Sequence, residues 1–166
     1  MVNFPKFPKL FSAVIFAPFA LAFAGCGAKN VPASAETKFE VPLDGKRLSV
    51  RLALTDPERE RGLMFCEKLG ENEGMIFVYS TEDSRSFWMM NVPINLSIGY
   101  FDAAGRLLET HEMSAHDLTG VRSRSDCVQY CLEMREGWFR ENGVEPGAQL
   151  DLRALEKAVR ARKLRP

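Results

Sequence analysis

The sequence predicts a mostly β domain, a β-sandwich or partly closed barrel with mainly antiparallel strands and two or three short helices. Three observations point there. Apolar residues recur with strand period over short runs, as where Leu48, Val50, Leu52 and Leu54 alternate with Ser49, Arg51 and Ala53. Turn-forming residues punctuate the chain between such runs, as at Asp102-Ala103-Ala104-Gly105 and Pro146-Gly147. Helical signals are confined to brief segments with an identifiable start or stop.

The chain begins with a different kind of segment. Lys6 and Lys9 give it a positive start, and Leu10 to Phe23 is an uncharged, almost wholly apolar run. That run suits a signal peptide and falls short of the roughly 20 residues that a spanning helix needs; Pro18 also interrupts it. Phe23-Ala24-Gly25-Cys26 puts small residues directly before a cysteine, with Phe23 where Leu is commoner. Residues 1–25 therefore read as a lipoprotein signal peptide and Cys26 as the lipidated first residue of the mature chain. Several acyl chains, each gaining roughly 0.8 kcal/mol per buried CH₂, make such an anchor stable. A plain secretory signal and an uncleaved anchor are the alternatives. Residues 26–38 carry the lipid and a small, polar, Ala/Pro/Ser-rich tether. Residues 39–166 form a single β-rich domain that ends in a basic helix.

Within that domain the strand at Leu48 to Leu54 runs into Thr55-Asp56-Pro57-Glu58, a helix start with Asp56 or Thr55 as cap and Pro57 in the first turn. The helix is short and stops near Gly62. Met75 to Tyr79 is a continuous apolar run, a buried strand, and Phe87 to Met90 and Leu96 to Phe101 are further strands. Asp102 to Gly105 is a hairpin-like connection into Arg106 to Met113. Val128 to Met134 is a strand, Gly137 to Asn142 a short helix ended by Gly143, and Ala148 to Leu152 a last strand. The tail is helical, with Leu152, Leu155 and Val159 on one stripe. Arg153, Lys157, Arg160, Arg162, Lys163 and Arg165 face only Glu156 there. Such a helix either rests on anionic lipid or packs on the domain with a solvated basic face, the commoner arrangement.

Charge and cysteine usage narrow the function. Lys+Arg and Asp+Glu are both 22, and loss of Lys6 and Lys9 leaves a mature net charge of −2 (20 − 22). Nothing in that balance points to nucleic acid as a partner. With Cys26 acylated, Cys66, Cys127 and Cys131 remain, an odd number for an oxidising compartment. Cys127 and Cys131 share one strand face and stand about 13 Å apart along it, beyond the roughly 7 Å a disulfide tolerates. A bridge from Cys66 to either of them, and three free thiols, both stay open.

Three groups of segments carry a recognisable pattern: Arg61-Gly62-Leu63-Met64-Phe65 with Gly74-Met75-Ile76-Phe77-Val78; Phe87-Trp88-Met89-Met90-Asn91; and Leu132-Glu133-Met134 with Gly137-Trp138 and Pro146-Gly147. In this order and spacing the chain resembles the domain of unknown function 192 family, small bacterial and archaeal proteins, over roughly Phe39 to Leu152. The resemblance implies a small, mostly β fold and no established activity. Arg61, Gly62, Met64, Gly74, Met75, Phe77, Trp88, Met89 and Asn91 match the pattern. Members typically read Phe-Trp-Met-Lys-Asn-Thr and then Ile-Pro-Leu-Asp. Here Met90 stands at the Lys, Asn95 at the Pro and Ser97 at the Asp, and Cys66 sits where Arg or another residue is common.

The candidate chemistry is modest. Trp88 offers a large face with a polar handle, and Asn91 an amide, so both are candidate ligand contacts, although strand alternation also sends such residues to a core. Arg122 and Arg124, beside Ser123, Ser125 and Asp126, could hold an anionic or carbohydrate ligand or tie their loop to the domain. His111, Glu112 and His116 miss the i, i+4 spacing of a zinc-protease helix. Glu109, His111, His116, Asp117, Asp126 and Glu133 are acid–base candidates without a constellation. Met64, Met75, Met89, Met90, Met113 and Met134 with His111 invite a copper reading that no spacing supports. Cys66 lacks an identifiable partner histidine for nucleophilic work. The sequence is thus best read as a non-catalytic, lipid-anchored domain facing the periplasm, on the outer membrane rather than the inner. It would bind an unknown small ligand or envelope protein, with no cofactor, no metal and no nucleic acid. One alternative is a small envelope hydrolase using His111 or His116 with a carboxylate. Another is a thiol or copper-handling protein using Cys66 and Cys131 or the methionines.

Overall fold

An Asp-Gly pair between alternating apolar residues opens the domain. Asp44 and Gly45 have φ of 49° and 78°, the double positive φ of a two-residue hairpin turn. They join β1 (Phe39–Leu43) to β2 (Lys46–Ala53), paired antiparallel from Leu43↔Lys46 outward. The computed structural model describes residues 34–163. The signal peptide, Cys26 and most of the tether lie outside the described residues.

Helix α1 (Asp56–Arg61) starts on a capping box: Thr55 accepts from the Glu58 N–H and the Glu58 carboxylate accepts from the Thr55 N–H. The cap is Thr55, with Pro57 in the first turn and Gly62, at φ 46°, closing the helix. Glu58 also accepts from Leu54 N and pairs with Arg162. Burial pushes its carboxyl up, but those amide donors and the Arg162 guanidinium outweigh this and hold it below the usual carboxylate range. Because α1 carries the chain back across the sheet, β3 (Glu73–Asp83) runs parallel to β2.

The remaining elements are β4 (Ser86–Phe87), β5 (Leu96–Phe101), β6 (Leu107–Met113), β7 (Val121–Arg122), β8 (Val128–Arg135), α2 (Trp138–Glu141) and α3 (Leu152–Lys163). One mixed, mainly antiparallel sheet has the order β1-β2-β3-β8-β5-β6, and β4 pairs with β7 in a small second sheet. The mostly β class with three short helices holds, but the sheet is not a closed barrel. Among the described residues, its edges β1 and β6 are bridged by residues 147–151. Gly147 N donates to Leu107 O and Leu150 N to Gly105 O on one side, while Asp44 N donates to Gln149 O and Asp151 N to Pro42 O on the other.

Two expected strands are corrected. Ala148 to Leu152 makes only the isolated bridges Leu43↔Leu150 and Arg106↔Gln149, because the segment spans two edges and Leu152 already opens α3. The strand expected at Phe87 to Met90 ends at Phe87. Met89 N donates to Asp117 O, Val92 N to Met89 O, and Asn91 takes φ 58°, so the chain turns there. Strands β1 and β7 were not anticipated at all.

The sheet is covered on both faces. One face packs Val50, Leu52, Ile76, Phe101, Leu132 and Met134 with Trp138, Phe139, Leu155 and Ala158 of the helices. Helix α3 therefore lies on the domain with its basic side outward, as Leu155 and Ala158 are buried while Arg153, Lys157 and Arg160 are exposed. The other face packs Met75, Phe77, Ile98, Tyr100 and Cys131 under Phe87 of β4 and under Leu63, Met89 and Val92, which come from connecting segments. Those loops form the surface where the functional candidates gather.

Candidate functional site

Strand register sets the site. Arg51 pairs with Met75, Met75 with Glu133, Glu133 with Ile98, and Ile98 with His111, so these residues form one row across the loop-covered face. Two of them are charged and lie where the face is apolar. Glu133, near the end of the central strand β8, is only 4% exposed, and its Oε2 has no hydrogen-bond partner. Burial pushes its carboxyl up to about 8, against a weaker downward pull from Arg51. The acid is therefore mostly neutral at pH 7.

Arg51 does not neutralise it by contact. Its guanidinium donates to Glu36 Oε2 at 3.1 Å and to Cys66 Sγ at 3.6 Å, and its buried Nε is without a partner. Met75 stands between the two charged residues in the row.

Above Glu133 lies a narrow cleft lined by Arg59 to Met64, Phe77, Phe87, Trp88, Met90 and Val92, with Glu133 as its polar floor. Its enclosed volume is about 30 Å³, enough for a water-sized group and too little for a drug-sized ligand. Phe77 and Phe87 meet edge to face at 4.8 Å in the wall. Trp88 stands at the mouth and is 51% exposed. The turn that breaks the expected Phe87–Met90 strand is what turns Trp88 outward. Phe65 N donates to Asn91 O and His116 N to Val92 O, which fastens the neighbouring loops around it.

The glycines explain the close fit. A Cβ on Gly74 would lie 2.3 Å from Glu133 O and 2.5 Å from Met134 Sδ, so β3 and β8 approach there only because the residue is glycine. Gly62, at φ 46°, would bring a Cβ to 3.4 Å from the Phe77 ring in the cleft wall. Arg61-Gly62, Gly74-Met75, Trp88-Met89 and Glu133 thus converge on one place in the fold. The sequence pattern of the DUF192 family, described as Uncharacterized ACR, matches residues 39–152. The chain belongs to the DUF192 family.

Two of the solved structures similar to this chain illustrate the likeness. A protein of Sinorhizobium meliloti 1021, described as a proposed transcription regulator, is 28% identical with a TM-score of 0.66, over 73% of this chain and 95% of that one. A protein of unknown function from Novosphingobium aromaticivorans DSM 12444 is 29% identical with a TM-score of 0.62, over 69% and 83%. No curated protein matches the chain. Against the DUF192 pattern, the two lost polar positions turn out to be separate. Met90, at the usual Lys, lines the cleft. Ser97, at the usual Asp, is buried on the opposite face, where its Oγ donates to Glu112 at 2.5 Å and accepts from Gly137 N.

Of the residues expected to bind ligand, only Trp88 lines the cleft. Asn91 is exposed on the adjoining turn. Arg122 on β7 donates to Ser84 Oγ at 2.6 Å, and Arg124 is an exposed side chain 3.9 Å from Glu109. Their loop is tied down, since Glu109 Oε1 accepts from Arg124 N and Ser125 N, and Ser123 Oγ accepts from Arg85 N. Arg122 and Arg124 do not line the Trp88 cleft, although Arg122 pairs with Ser86 two residues before Trp88.

Glu109 also binds His111 Nε2 at 2.7 Å. Burial raises the Glu109 carboxyl, but His111 and the two loop amides hold it below its ordinary range. His116 is an exposed loop residue with φ 60°. Cys66, Cys127 and Cys131 are free thiols, half-buried, exposed and buried respectively. Burial pushes the Cys131 thiol well up, and a hydrogen bond to Asp126 pushes Cys127 up. Met134 packs on the helix face while Met75, Met89 and Met113 pack on the other, all as core. Among the described residues no group of three or more His, Cys, Asp and Glu could hold a metal ion.

Proposed function

We propose that this DUF192 protein is a lipid-anchored envelope domain that recognises a ligand or partner at the Trp88 cleft and carries out no reaction there. The observation that carries the reading is a half-exposed tryptophan over a buried carboxyl with an unpartnered oxygen, in a cleft walled by apolar side chains and, at its α1 end, by Arg59, Glu60 and Arg61. Exposed aromatic anchors and a few convergent polar groups are the usual makings of a recognition site. The anchor would be the lipid on Cys26, facing the periplasm on the outer membrane. The Sinorhizobium relative's description is not carried over to this chain, since the charge of −2 (20 − 22) that loss of Lys6 and Lys9 would leave does not point to nucleic acid.

The test has two arms. Fractionation should find the protein in membranes and a Cys26→Ser variant free of them; a variant that stays membrane-bound would refute the anchor. A fragment screen by NMR should move the Trp88 indole N–H and leave Trp138, buried and bonded to Asn72 Oδ1, unmoved. Hits that leave Trp88 still would refute the cleft.

A second reading, a small envelope hydrolase, draws on the His111–Glu109 pair. It requires ester hydrolysis by the purified protein that is lost in His111→Ala.

A further inference from the structure

We propose that the Trp88 cleft takes a primary ammonium group on an unbranched alkyl stem, the chemistry shared by a lysyl side chain and a small alkylamine. This rests on the reading of the cleft as a recognition site and names its ligand class. The floor of the cleft is an acceptor without a donor: Glu133 is nearly wholly buried, and its Oε2 receives no hydrogen bond. No side chain around it donates to that oxygen. Leu63, Met64, Phe77, Phe87, Met90 and Val92 are apolar. Arg59 is committed elsewhere, donating to Leu54 O at 2.8 Å and Val78 O at 2.9 Å, pairing with Asp56 and lying over the Tyr79 ring. Arg51 gives its terminal nitrogens to Glu36 and Cys66 and its buried Nε makes no hydrogen bond, while Arg61 lines the α1 end of the cleft. The acceptor is thus open to a donor from outside.

Three features select an ammonium among donors. Trp88 at the mouth presents an aromatic face, which attracts a cation. A carboxyl that can ionise gains more from a charged donor than from a neutral one, since charge-assisted hydrogen bonds are roughly twice as strong. The cleft, about 30 Å³, has room for a water-sized ammonium head. Trp88, Met64 and Met90 then offer an apolar wall to the stem, as alkyl stems of lysines commonly cover such surfaces.

The charged and titratable groups around the carboxyl are Arg51 on β2, Arg59, Glu60 and Arg61 at the α1 end of the cleft, and Tyr79, Tyr100 and Cys131 on the sheet. Burial dominates among them and keeps the acid protonated up to about pH 8. An entering ammonium therefore displaces the carboxyl proton to the buffer and keeps its own three, with no covalent bond made. At pH 7 close to one proton leaves per ligand bound. Affinity should rise roughly tenfold from pH 6 to pH 7, because the competing proton is tenfold scarcer and an alkylamine of pKa above 10 stays charged.

The experiment uses the full-length protein in detergent with n-butylammonium, Nα-acetyl-lysine amide, tetramethylammonium, n-butanol and butyrate as probes. NMR follows the two indole N–H signals, and calorimetry in two buffers of different ionisation enthalpy counts protons. Butylammonium should move Trp88 and not Trp138, release about one proton at pH 7 and lose binding in both E133Q and M90K, the latter because a tethered amine at the rim occupies the acid. The Trp138 signal confirms that each variant is folded. Tighter binding of the blocked lysine than of butylammonium assigns the site to a protein lysine, and equal or weaker binding to a free amine. Butanol, butyrate or tetramethylammonium binding as well as butylammonium, or butylammonium binding kept in E133Q, overturns the ammonium assignment and leaves the cleft as a recognition site. Trp88 unmoved by every probe overturns both.

Discussion

Replacing Glu133 by Gln keeps the side-chain shape and removes the charge, and its effect on stability can be worked from the structure. In the folded protein the acid titrates at about 8, against an ordinary value of 4.5. Between those values the unfolded chain has lost the proton that the folded chain keeps. Stability therefore falls as pH rises, by about 1.4 kcal/mol per pH unit for one proton. Over the whole interval the loss is about 5 kcal/mol, a large part of the 5–15 kcal/mol that typical domains possess. Below about pH 4.5 both states are protonated and the contribution is flat. Glu133→Gln has no such titration, although its buried amide needs donors and acceptors of its own and sets a constant offset of roughly 1–3 kcal/mol. Urea unfolding of both proteins at pH 5, 6, 7 and 8 isolates the effect, because every other group is shared. The difference, variant minus parent, should climb by about 1.4 kcal/mol per pH unit. A difference constant across that range would refute the buried, neutral acid. On the acid side the sign reverses: the lowered carboxyls of Glu58 and Glu109 contribute stability that is lost as pH falls through their folded values.

Gly74→Ala should cost about 3 kcal/mol or more in urea unfolding, since the new Cβ meets backbone at 2.3 Å that cannot rotate away; a cost under 1 kcal/mol would show that β3 and β8 do not approach as described. Thr55→Ala should cost about 1 kcal/mol by removing the α1 cap, and a neutral result would place the helix start elsewhere. Thiol labelling of the native protein followed by mass spectrometry should modify Cys127 readily, Cys66 more slowly and Cys131 only after unfolding, following their exposure. Equal labelling of Cys131 in the native state would contradict its place in the core.

Much of the sheet was legible because each strand carries its own period. β2, β5 and β6 announce themselves by alternation or by an apolar run bounded by turns, and α1 by Thr55, Pro57 and Glu58 at capping-box spacing. The β1–β2 hairpin is legible in principle from Asp44-Gly45 between apolar residues. Trp88 and its neighbours misled for a physical reason. Phe87-Trp88-Met89-Met90 has the composition of a strand, and contacts distant in sequence, from Asp117 and His116, join the local Val92–Met89 hydrogen bond in bending it into a turn. Glu133 stood out less than it should have. A carboxylate between Leu132 and Met134 in a run long enough to be a central strand has no solvent face to reach. That was the available signal for the site. What links it to Trp88 is strand register, which local sequence does not specify.

The central claim is that the Trp88 cleft is floored by a buried, mostly neutral acid. Direct titration of the Glu133 side-chain carboxyl by carbon-13 NMR, with the Trp88 indole N–H followed in the same samples, tests it. The account predicts a midpoint at about 8 with Trp88 shifting in the same transition and Trp138 unmoved. A midpoint near 4.5, with Trp88 indifferent to it, would contradict the account.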